Sequence, residues 1–265
     1  MPFCTNCGTR VEADSNFCEG CGKAMGNGKQ AAPPPPPEPL DYTIQGETMQ
    51  VVRIRLKPGQ DVFAEAGKMV YKLPETEWES RLAGEALVLT NFSATAPSEV
   101  GFAGACAGRI QAIDLKEGQS LLVLRDGFLC AQSTVRLEVV QIKKPDGGSF
   151  GGDGLLLERL TGPGTVFIHA GGESVEFSLD PGQVIQVNAG SLVAFDESMG
   201  YDMQLADGIK PAMLGAEGLL LATLTGPGRV MVQSLTLEKT RRELSLSPGA
   251  GENGAVPVLN GALVG

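Results

Sequence analysis

Four cysteines near the start of the chain have the type and spacing of a metal site. They form two Cys-x-x-Cys-Gly motifs, and ten residues separate Cys7 from Cys18. Four thiolates at this spacing surround Zn²⁺ tetrahedrally, and a glycine after each second cysteine accepts the tight turn that directs backbone N–H groups toward sulfur. Such a site has no open coordination position, so the sequence predicts a structural zinc ion bound by Cys4, Cys7, Cys18 and Cys21.

Two disulfides or four free thiols are the alternatives for the same cysteines. The start, Met-Pro-Phe-Cys, has neither the basic nor the apolar stretch of a secretory signal, and disulfides are rare without secretion. Phe3 and Phe17 each precede the first cysteine of a motif, and we expect them to cover the metal. The segment resembles the short zinc ribbons that head many bacterial proteins, which bind protein or nucleic acid or merely end a chain.

Few other residues have the types that catalysis needs. The single histidine, His169, lies in a strand-like context and is interpreted as a polar strand position. Cys106 and Cys130 lack a Cys-x-x-Cys partner, and Cys130 is expected to be a small buried group. The glycine-rich stretch at 147–154 lacks a P-loop lysine and is interpreted as a connector. No catalytic residue and no cofactor-binding residue is therefore predicted, and the chain is not expected to be an enzyme.

The composition limits the partners of the chain. Lysine and arginine total 21 and aspartate and glutamate 31, which gives a net charge of −10 and disfavours nucleic acid or anionic lipid. An apolar content of 42% together with 36 glycines and 17 prolines indicates an all-β protein with many turns. No apolar run approaches the ~18 residues of a membrane span, so we expect a cytoplasmic protein.

The chain divides into four parts. The predicted parts are a zinc ribbon at 1–25, a proline-rich linker at 26–40, a β body at 41–237 and a tail at 238–265. Within the body, residues 151–170 and 215–234 are identical at 11 of 20 positions, which indicates an internal repeat. A Leu-x-x-Gly-Gln motif occurs three times, with starts 59 and 64 residues apart. The body is therefore expected to contain three units, at about 41–110, 111–173 and 174–237.

Each unit is predicted to be antiparallel β structure. Gly59, Gly118 and Gly182 suit the left-handed position of a type II turn, and the Gly-Pro-Gly segments at 162–164 and 226–228 are expected to form the same kind of turn. Between turns, apolar and polar residues alternate, as in Val175, Phe177 and Leu179 of the third unit. We expect the three units to pack around a pseudo-threefold axis.

One position of the repeat is acidic in every unit. Glu85, Asp153 and Glu217 would form a carboxylate ring for a cation if the axis brought them together. The alternative is that each carboxylate caps a turn through backbone N–H groups, since each lies beside a glycine, and this alternative is preferred.

The motifs of the body resemble a known family. AEAGKMVY, GEALVLTNFSA, GDGLLLERLTGPGTVFI and LDPGQVIQVNAGSLVAF, over roughly residues 41–236, are similar to the family named for altered inheritance of mitochondria (member twenty-four). The resemblance implies a fold like that of the tryptophan RNA-binding attenuation protein, and it carries no catalytic residues.

These observations favour a non-catalytic binding or scaffold protein whose zinc ribbon recognises a protein partner. The alternative is a ligand- or RNA-binding regulator of the attenuation-protein type. The apolar run Leu121–Leu124 breaks the alternation, so both of its faces should be covered. We expect a homo-oligomer with an apolar contact near this run, in which Leu122 faces a second subunit or the chain's own interior.

Overall fold

The computed structural model describes residues 3–4, 6–10, 18–21, 37–83, 87–142, 155–205, 220–236 and 240. They belong to two compact units, Met1–Pro36 and Pro37–Gly265, and the second is called the body below. The all-β prediction is confirmed, because antiparallel strands make up the regular structure of the described body. No helix among the described residues has the length and apolar character that a membrane crossing requires.

Nineteen strands with defined bounds follow one another in the described body. The first ten are β1 (Asp41–Gln45), β2 (Val51–Leu56), β3 (Asp61–Glu65), β4 (Met69–Lys72), β5 (Thr76–Ala83), β6 (Leu87–Ala94), β7 (Ser98–Ala103), β8 (Gly108–Leu115), β9 (Ser120–Leu124) and β10 (Phe128–Gln132). The others are β11 (Arg136–Ile142), β12 (Leu155–Thr161), β13 (Gly164–Gly171), β14 (Ser174–Leu179), β15 (Val184–Asn188), β16 (Leu192–Asp196), β17 (Gly200–Leu205), β18 (Leu220–Thr225) and β19 (Gly228–Gln233), with a 3₁₀ turn at Ala189–Ser191.

The strands form four antiparallel sheets. Their strand orders are β1-β2-β7-β4, β5-β6-β3-β10-β13-β8, β11-β12-β9-β16-β19-β14 and β15-β18-β17. Both six-stranded sheets contain a pairing between strands far apart in sequence, β3 with β10 and β9 with β16. These two pairings are called joints below, because each fastens an earlier part of the body to a later one.

Alternation of apolar and polar residues decides which face of a strand is buried. In β2, Val52, Ile54 and Leu56 are buried. Arg53 and Arg55 point away from this core and form ion pairs with Glu99 of β7 and Asp41 of β1. The period of two in the sequence therefore sets the orientation of this sheet.

The predicted glycine turns are confirmed. Gly59, Gly118 and Gly182 have φ values of +84°, +75° and +81°, which only glycine adopts without strain. In each turn the N–H of the following glutamine donates to the carbonyl oxygen three residues earlier, at 2.9–3.0 Å.

The Gly-Pro-Gly segments were predicted wrongly. The Gly162–Pro163 and Gly226–Pro227 peptide bonds are cis, so these segments are not type II turns with a trans proline at the second position. A tertiary amide tolerates the cis form, and proline is the residue that supplies one.

The run Leu121–Leu124 lies in the interior of the body. β9 is a central strand between β12 and β16, and Leu122 is buried beside Phe195 and Leu157 within the same chain. Of the two alternatives for Leu122, the internal one therefore holds, because residues of the same chain bury its side chain.

The apolar residues of the alternating strand β14 are not all buried. Val175 and Phe177 belong to its apolar set, yet both side chains are exposed. β14 is the edge strand of its sheet and pairs only with β19 among the described strands. Its apolar face has no cover within the described part of the chain.

Candidate functional site

The first Cys-x-x-Cys motif folds as a tight turn around Gly8. Gly8 has φ +72°, and its N–H donates to the carbonyl oxygen of Cys4 at 2.8 Å. The N–H of Asn6 donates to Cys4 Sγ at 3.4 Å. Backbone N–H groups directed at sulfur stabilise a thiolate, which is the form that binds metal.

The two motifs bring all four sulfur atoms together. Cys4 Sγ lies 3.7 Å from Cys21 Sγ, and Cys7 Sγ lies 3.5 Å from Cys18 Sγ. The four atoms all lie within 4.8 Å of one another, and the cysteines are free. Zn–S bonds of about 2.3 Å in a tetrahedron separate sulfur atoms by ~3.8 Å, whereas a disulfide requires ~2.05 Å. The arrangement therefore fits a four-coordinate metal ion and does not fit two disulfides.

The thiols have different surroundings. The pKa of Cys7 is lowered to about 6 by the hydroxyl of Thr9, whose Oγ1 lies 3.2 Å from Sγ, and by the Thr9 N–H. Backbone N–H groups of Asn6 and Cys7 lower the pKa of Cys4. Burial raises the pKa of Cys18 to about 11. A divalent cation among the four sulfur atoms stabilises each thiolate by its charge, which offsets this burial.

Phe3 does not cover the sulfur atoms as expected. Its side chain is 63% exposed, and its backbone forms an antiparallel bridge with Arg10. Cys4 and Cys18 are buried. Phe17 lies outside the described residues. The aromatic ring of Phe3 is therefore presented to the surroundings of the ribbon.

His169 is buried in β13, where its ring fills a niche between glycines. A Cβ atom on Gly104 or Gly108 would collide with the imidazole. Burial lowers the pKa of His169, and the charge of Lys68 lowers it further, so the ring is neutral at pH 7. The polar strand position predicted for this residue is a buried one. Gly104, which precedes β8, and Gly108, its first residue, make room for the ring.

A cavity of about 290 Å³ lies beside His169, at the lower limit for small-molecule pockets. Its lining includes Lys68, Cys106, Arg125, Asp126, His169 and Gln233. The structure thus brings Cys106 and His169 to one cavity, which the sequence did not predict. Burial raises the pKa of Cys106, so its thiol stays protonated, unlike an activated nucleophile.

Sequence reasoning also missed a buried carboxyl group, Glu158 in β12. The side chain is 2% exposed, and Oε2 has no hydrogen-bond partner among the described residues. Burial, and then the charge of Glu65, raise the pKa of Glu158 to about 8. Glu65 is itself paired with Lys68 at 3.5 Å. The repeat contained the signal, because the residue aligned with Glu158 is Ala222, a buried residue.

The other candidates have separate outcomes. Cys130 is fully buried in β10, and burial raises its pKa well above the ordinary value, so its prediction as a small buried group is confirmed. The carboxylates proposed for a ring and the glycine-rich connector lie outside the described residues, namely Glu85, Asp153, Glu217 and 147–154.

The assignment to a family rests on the strands from β1 to β19. Residues 42–235 match the family described as Mitochondrial biogenesis AIM24. The chain belongs to the AIM24 family. Residues 3–25 match a zinc-ribbon domain, so both resemblances read from the sequence are confirmed. The AIM24 match covers both joints and every lining residue of the cavity except Thr236, and the zinc-ribbon match covers the four cysteines.

Relatives in one bacterium share this body. An uncharacterized protein of Streptococcus pyogenes serotype M6 is 28% identical over 225 residues, 76% of this chain and 88% of the relative. A crystal structure of a Streptococcus pyogenes protein has a TM-score of 0.66 and 23% identity, and the match covers 78% of this chain and 98% of that one. This likeness supports the fold alone. The likeness to the tryptophan RNA-binding attenuation protein stays a prediction.

Proposed function

We propose that this AIM24-family protein is a non-catalytic cytoplasmic scaffold. Its zinc ribbon recognises a protein partner, and its β body is an oligomerising platform. The observation that carries the proposal is the convergence of four cysteine sulfur atoms within 4.8 Å. A metal ion held by four thiolates has no position left for a substrate, so such a site shapes a recognition surface instead of performing chemistry.

In this proposal Cys4, Cys7, Cys18 and Cys21 hold Zn²⁺, which supplies the folding free energy of a segment too small for an apolar core. The exposed ring of Phe3 is the contact group for the partner. Exposed aromatic side chains on a rigid support are the usual anchors of protein interfaces, because they bury a large area at small entropic cost. The antiparallel bridge of Phe3 to Arg10 provides that support.

The electrostatics of the body support a non-catalytic role. His169 is held neutral in a packed niche, and the thiol of Cys106 is held protonated. A cysteine nucleophile requires the opposite direction, a lowered thiol pKa. The thiol of Cys106 therefore favours a structural role, as does the packing of the His169 ring against Gly104 and Gly108.

The three predicted units also belong to this proposal. Support comes from β4–β7, β10–β13 and β16–β19, which pair with the same interruption of register at the first residues of β4, β10 and β16. Each proposed unit also has the same glycine turn, which lies between β2 and β3, between β8 and β9, and between β14 and β15. Repeated units form a large rigid surface because the same packing arrangement recurs between neighbouring units.

Metal content provides the first test. We expect one zinc per chain in freshly reduced protein, and we expect Cys4→Ser to lose it, because three thiolates hold the ion less tightly. Cys106→Ser is the matched control, since it removes a thiol from the body and should keep the zinc. Elemental analysis measures both variants, and zinc-free wild-type protein would contradict the site.

Partner capture provides the second test. The full chain and a chain lacking residues 1–25 are used as baits under the same conditions. We expect the protein partner to be lost with the deletion and with Cys4→Ser, and to be retained by Cys106→Ser. Partners that are unchanged by the deletion would assign recognition to the body and contradict the proposed role of the ribbon.

The cavity favours a second candidate, a ligand-binding regulator. Lys68 and Arg125 among its lining residues suit a small anionic molecule. RNA is disfavoured by the charge of the body, since residues 41–237 contain 15 basic and 24 acidic side chains, 15 − 24 = −9. Native mass spectrometry of gently purified protein should then show a bound small molecule that Lys68→Met loses and Lys72→Met keeps. An unliganded mass for all three proteins would refute this candidate.

A further inference from the structure

The two joints of the body have the same design. At the first, β10 pairs with β3 so that Cys130 is opposite Ala64; at the second, β16 pairs with β9 so that Ala194 is opposite Val123. In terms of the proposed units, with the strands of the first unit counted from β2, the second strand of one unit pairs with the third strand of the next. Both joints run antiparallel over three residue pairs.

Two strands occupy the corresponding positions without such a pairing in the described body. They are β4, the third strand of the first unit, and β15, the second strand of the last unit. Each ends its sheet, and no other strand of the described body pairs with its outer edge. The sequence of β15, Val-Ile-Gln-Val-Asn, contains no proline and no charge, although natural edge strands use both to prevent pairing.

A bulge residue shows the difference between paired and unpaired third strands. Leu129, Val193 and Val70 each lie at the register interruption of β10, β16 and β4. Leu129 and Val193 are 0% and 1% exposed, because the joints bury them, whereas Val70 is 56% exposed. The first unit therefore presents an apolar side chain where the other two bury one.

The last unit presents the complementary surface. Ile54, Ile113 and Phe177 each stand two residues before the end of β2, β8 and β14. Ile54 and Ile113 are 0% and 8% exposed, in cores that include residues of the following unit. Phe177 is 37% exposed, and the described residues contain no following unit that covers it.

Exposed large apolar residues are also unequally distributed along the described body. The middle unit has Val139 only. The first unit has Val70, Leu73 and Trp78 among others, and the last has Val175, Phe177, Val184 and Tyr201. The two ends of the repeat are thus incompletely covered, which is the pattern of stacked repeats that lack a neighbour.

We infer that β15 of one chain pairs with β4 of a second copy of this chain, continuing the joint that the body uses twice internally. The register of the internal joints gives the pairs Tyr71 with Val187, Lys72 with Gln186, and Leu73 with Ile185. Two apolar pairs flank one polar pair, and no like charges oppose each other. This inference rests on the oligomerising platform proposed above and specifies its interface.

The contact is heterologous, because each chain contributes a different edge to each side. Such contacts close into a ring or continue as a filament, depending on the rotation between copies. Within one chain β4 and β15 end different sheets and do not pair. Every chain therefore presents a β4 edge to one neighbouring copy and a β15 edge to another.

Lysine substitutions at exposed apolar residues of the first and last units test this interface. We expect light scattering at tens of micromolar chain to show an oligomer for wild type and a mass of one chain, 27.7 kDa, for Val70→Lys and for Phe177→Lys. Val139→Lys is the matched control: it changes an exposed valine on β11 of the middle unit and should leave the oligomer intact. Circular dichroism confirms that each variant is folded.

Mixing the two edge variants separates a heterologous contact from a symmetric one. Val70→Lys keeps an intact β15 edge, and Phe177→Lys keeps an intact β4 edge. An equimolar mixture should therefore give a complex of two chains, although neither variant associates alone. A mixture that stays at the mass of one chain contradicts the proposed pairing.

Cysteine cross-linking tests the register. Tyr71→Cys and Val187→Cys, placed on separate chains and mixed under mild oxidation, should form a disulfide between chains. Tyr71→Cys mixed with Gln186→Cys, which is one residue out of register, should form much less of the disulfide. Wild-type protein under the same oxidation measures the background from its native thiols. A third sample carries Tyr71→Cys and Val187→Cys on the same chain. A disulfide within that chain would show that β15 pairs with β4 of its own chain, and it would overturn the inference.

The outcomes also distinguish the interface from the function. A wild-type oligomer that neither lysine variant dissociates overturns the β4–β15 pairing and leaves an oligomerising platform in place. A monomeric wild type overturns both. Partner capture through the ribbon is measured separately and does not depend on either result.

Discussion

Replacing Glu158 by glutamine should stabilise the protein at neutral and alkaline pH. The carboxyl group is buried, and its Oε2 has no hydrogen-bond partner within the described residues. The charged and titratable groups near it are Glu65, Lys68, Arg125 and Asp126. Glutamine keeps the shape of the side chain and removes its charge, so the substitution isolates the free energy of ionising this site.

The magnitude follows from the shift in pKa. The pKa of Glu158 rises from 4.5 to about 8 on folding. For an acid whose pKa is raised in the folded state, the contribution to the free energy of unfolding is complete below the unfolded-state pKa of 4.5. That contribution is lost as the pH rises from 4.5 to about 8, and it changes no further at higher pH. Since each pH unit in this interval costs up to ~1.4 kcal/mol, wild type should lose about 3 kcal/mol by pH 7 and about 5 kcal/mol by pH 9 relative to acid.

Urea unfolding from pH 5 to pH 9 measures this loss. Trp78, the single tryptophan, lies in β5 and packs near Phe92, so its fluorescence reports on the body. The free energy of unfolding of Glu158→Gln minus that of wild type should grow with pH over this range. Glu79→Gln, at an exposed position of the same strand as Trp78, is the matched control and should show no such growth.

A difference between Glu158→Gln and wild type that stays constant from pH 5 to pH 9 would refute the reasoning. It would mean that Glu158 ionises in the folded protein as readily as in the unfolded chain. A destabilised glutamine variant with unchanged pH dependence would lead to the same conclusion, since only the slope reports on ionisation.

Two further predictions concern the body. Leu122→Glu should cost several kcal/mol and unfold the body, because it places an unpaired charge beside Phe195, whereas Val139→Glu should be nearly neutral at its exposed position; thermal unfolding compares the two. Gly59→Ala should destabilise by about 1 kcal/mol through its φ of +84° alone, since no atom lies within 4 Å of the added Cβ, and urea unfolding measures this loss; an unchanged midpoint would contradict the assigned turn.

Features determined by local chemistry were predictable from the sequence. The glycines at 59, 118 and 182 were assigned left-handed conformations because a type II turn needs them, and the four cysteines were assigned to one site because their spacing suits one ion. In both cases residues close in sequence determine the geometry.

Features determined by distant strands were not predictable. Phe177 alternates like a buried residue, but its burial depends on a packing neighbour, and none covers this face of β14 within the described residues. Glu158 lies in an apolar run, and its raised pKa depends on burial and on Glu65, ninety-three positions earlier. The position of β9 between β12 and β16 depends in the same way on long-range pairing, so Leu122 could be assigned to neither an internal nor an external face.

The joints also determine the order in which the body is completed during synthesis. Ala64 of β3 pairs with Cys130, sixty-six residues later in the chain. At translation rates of about 5–20 residues per second, β3 emerges ~3–13 s before its partner strand. Through that interval the nascent chain exposes Phe63, which later packs against Phe128. β3 therefore waits for its joint partner with Phe63 uncovered, and binding by a chaperone would protect β3 during this time.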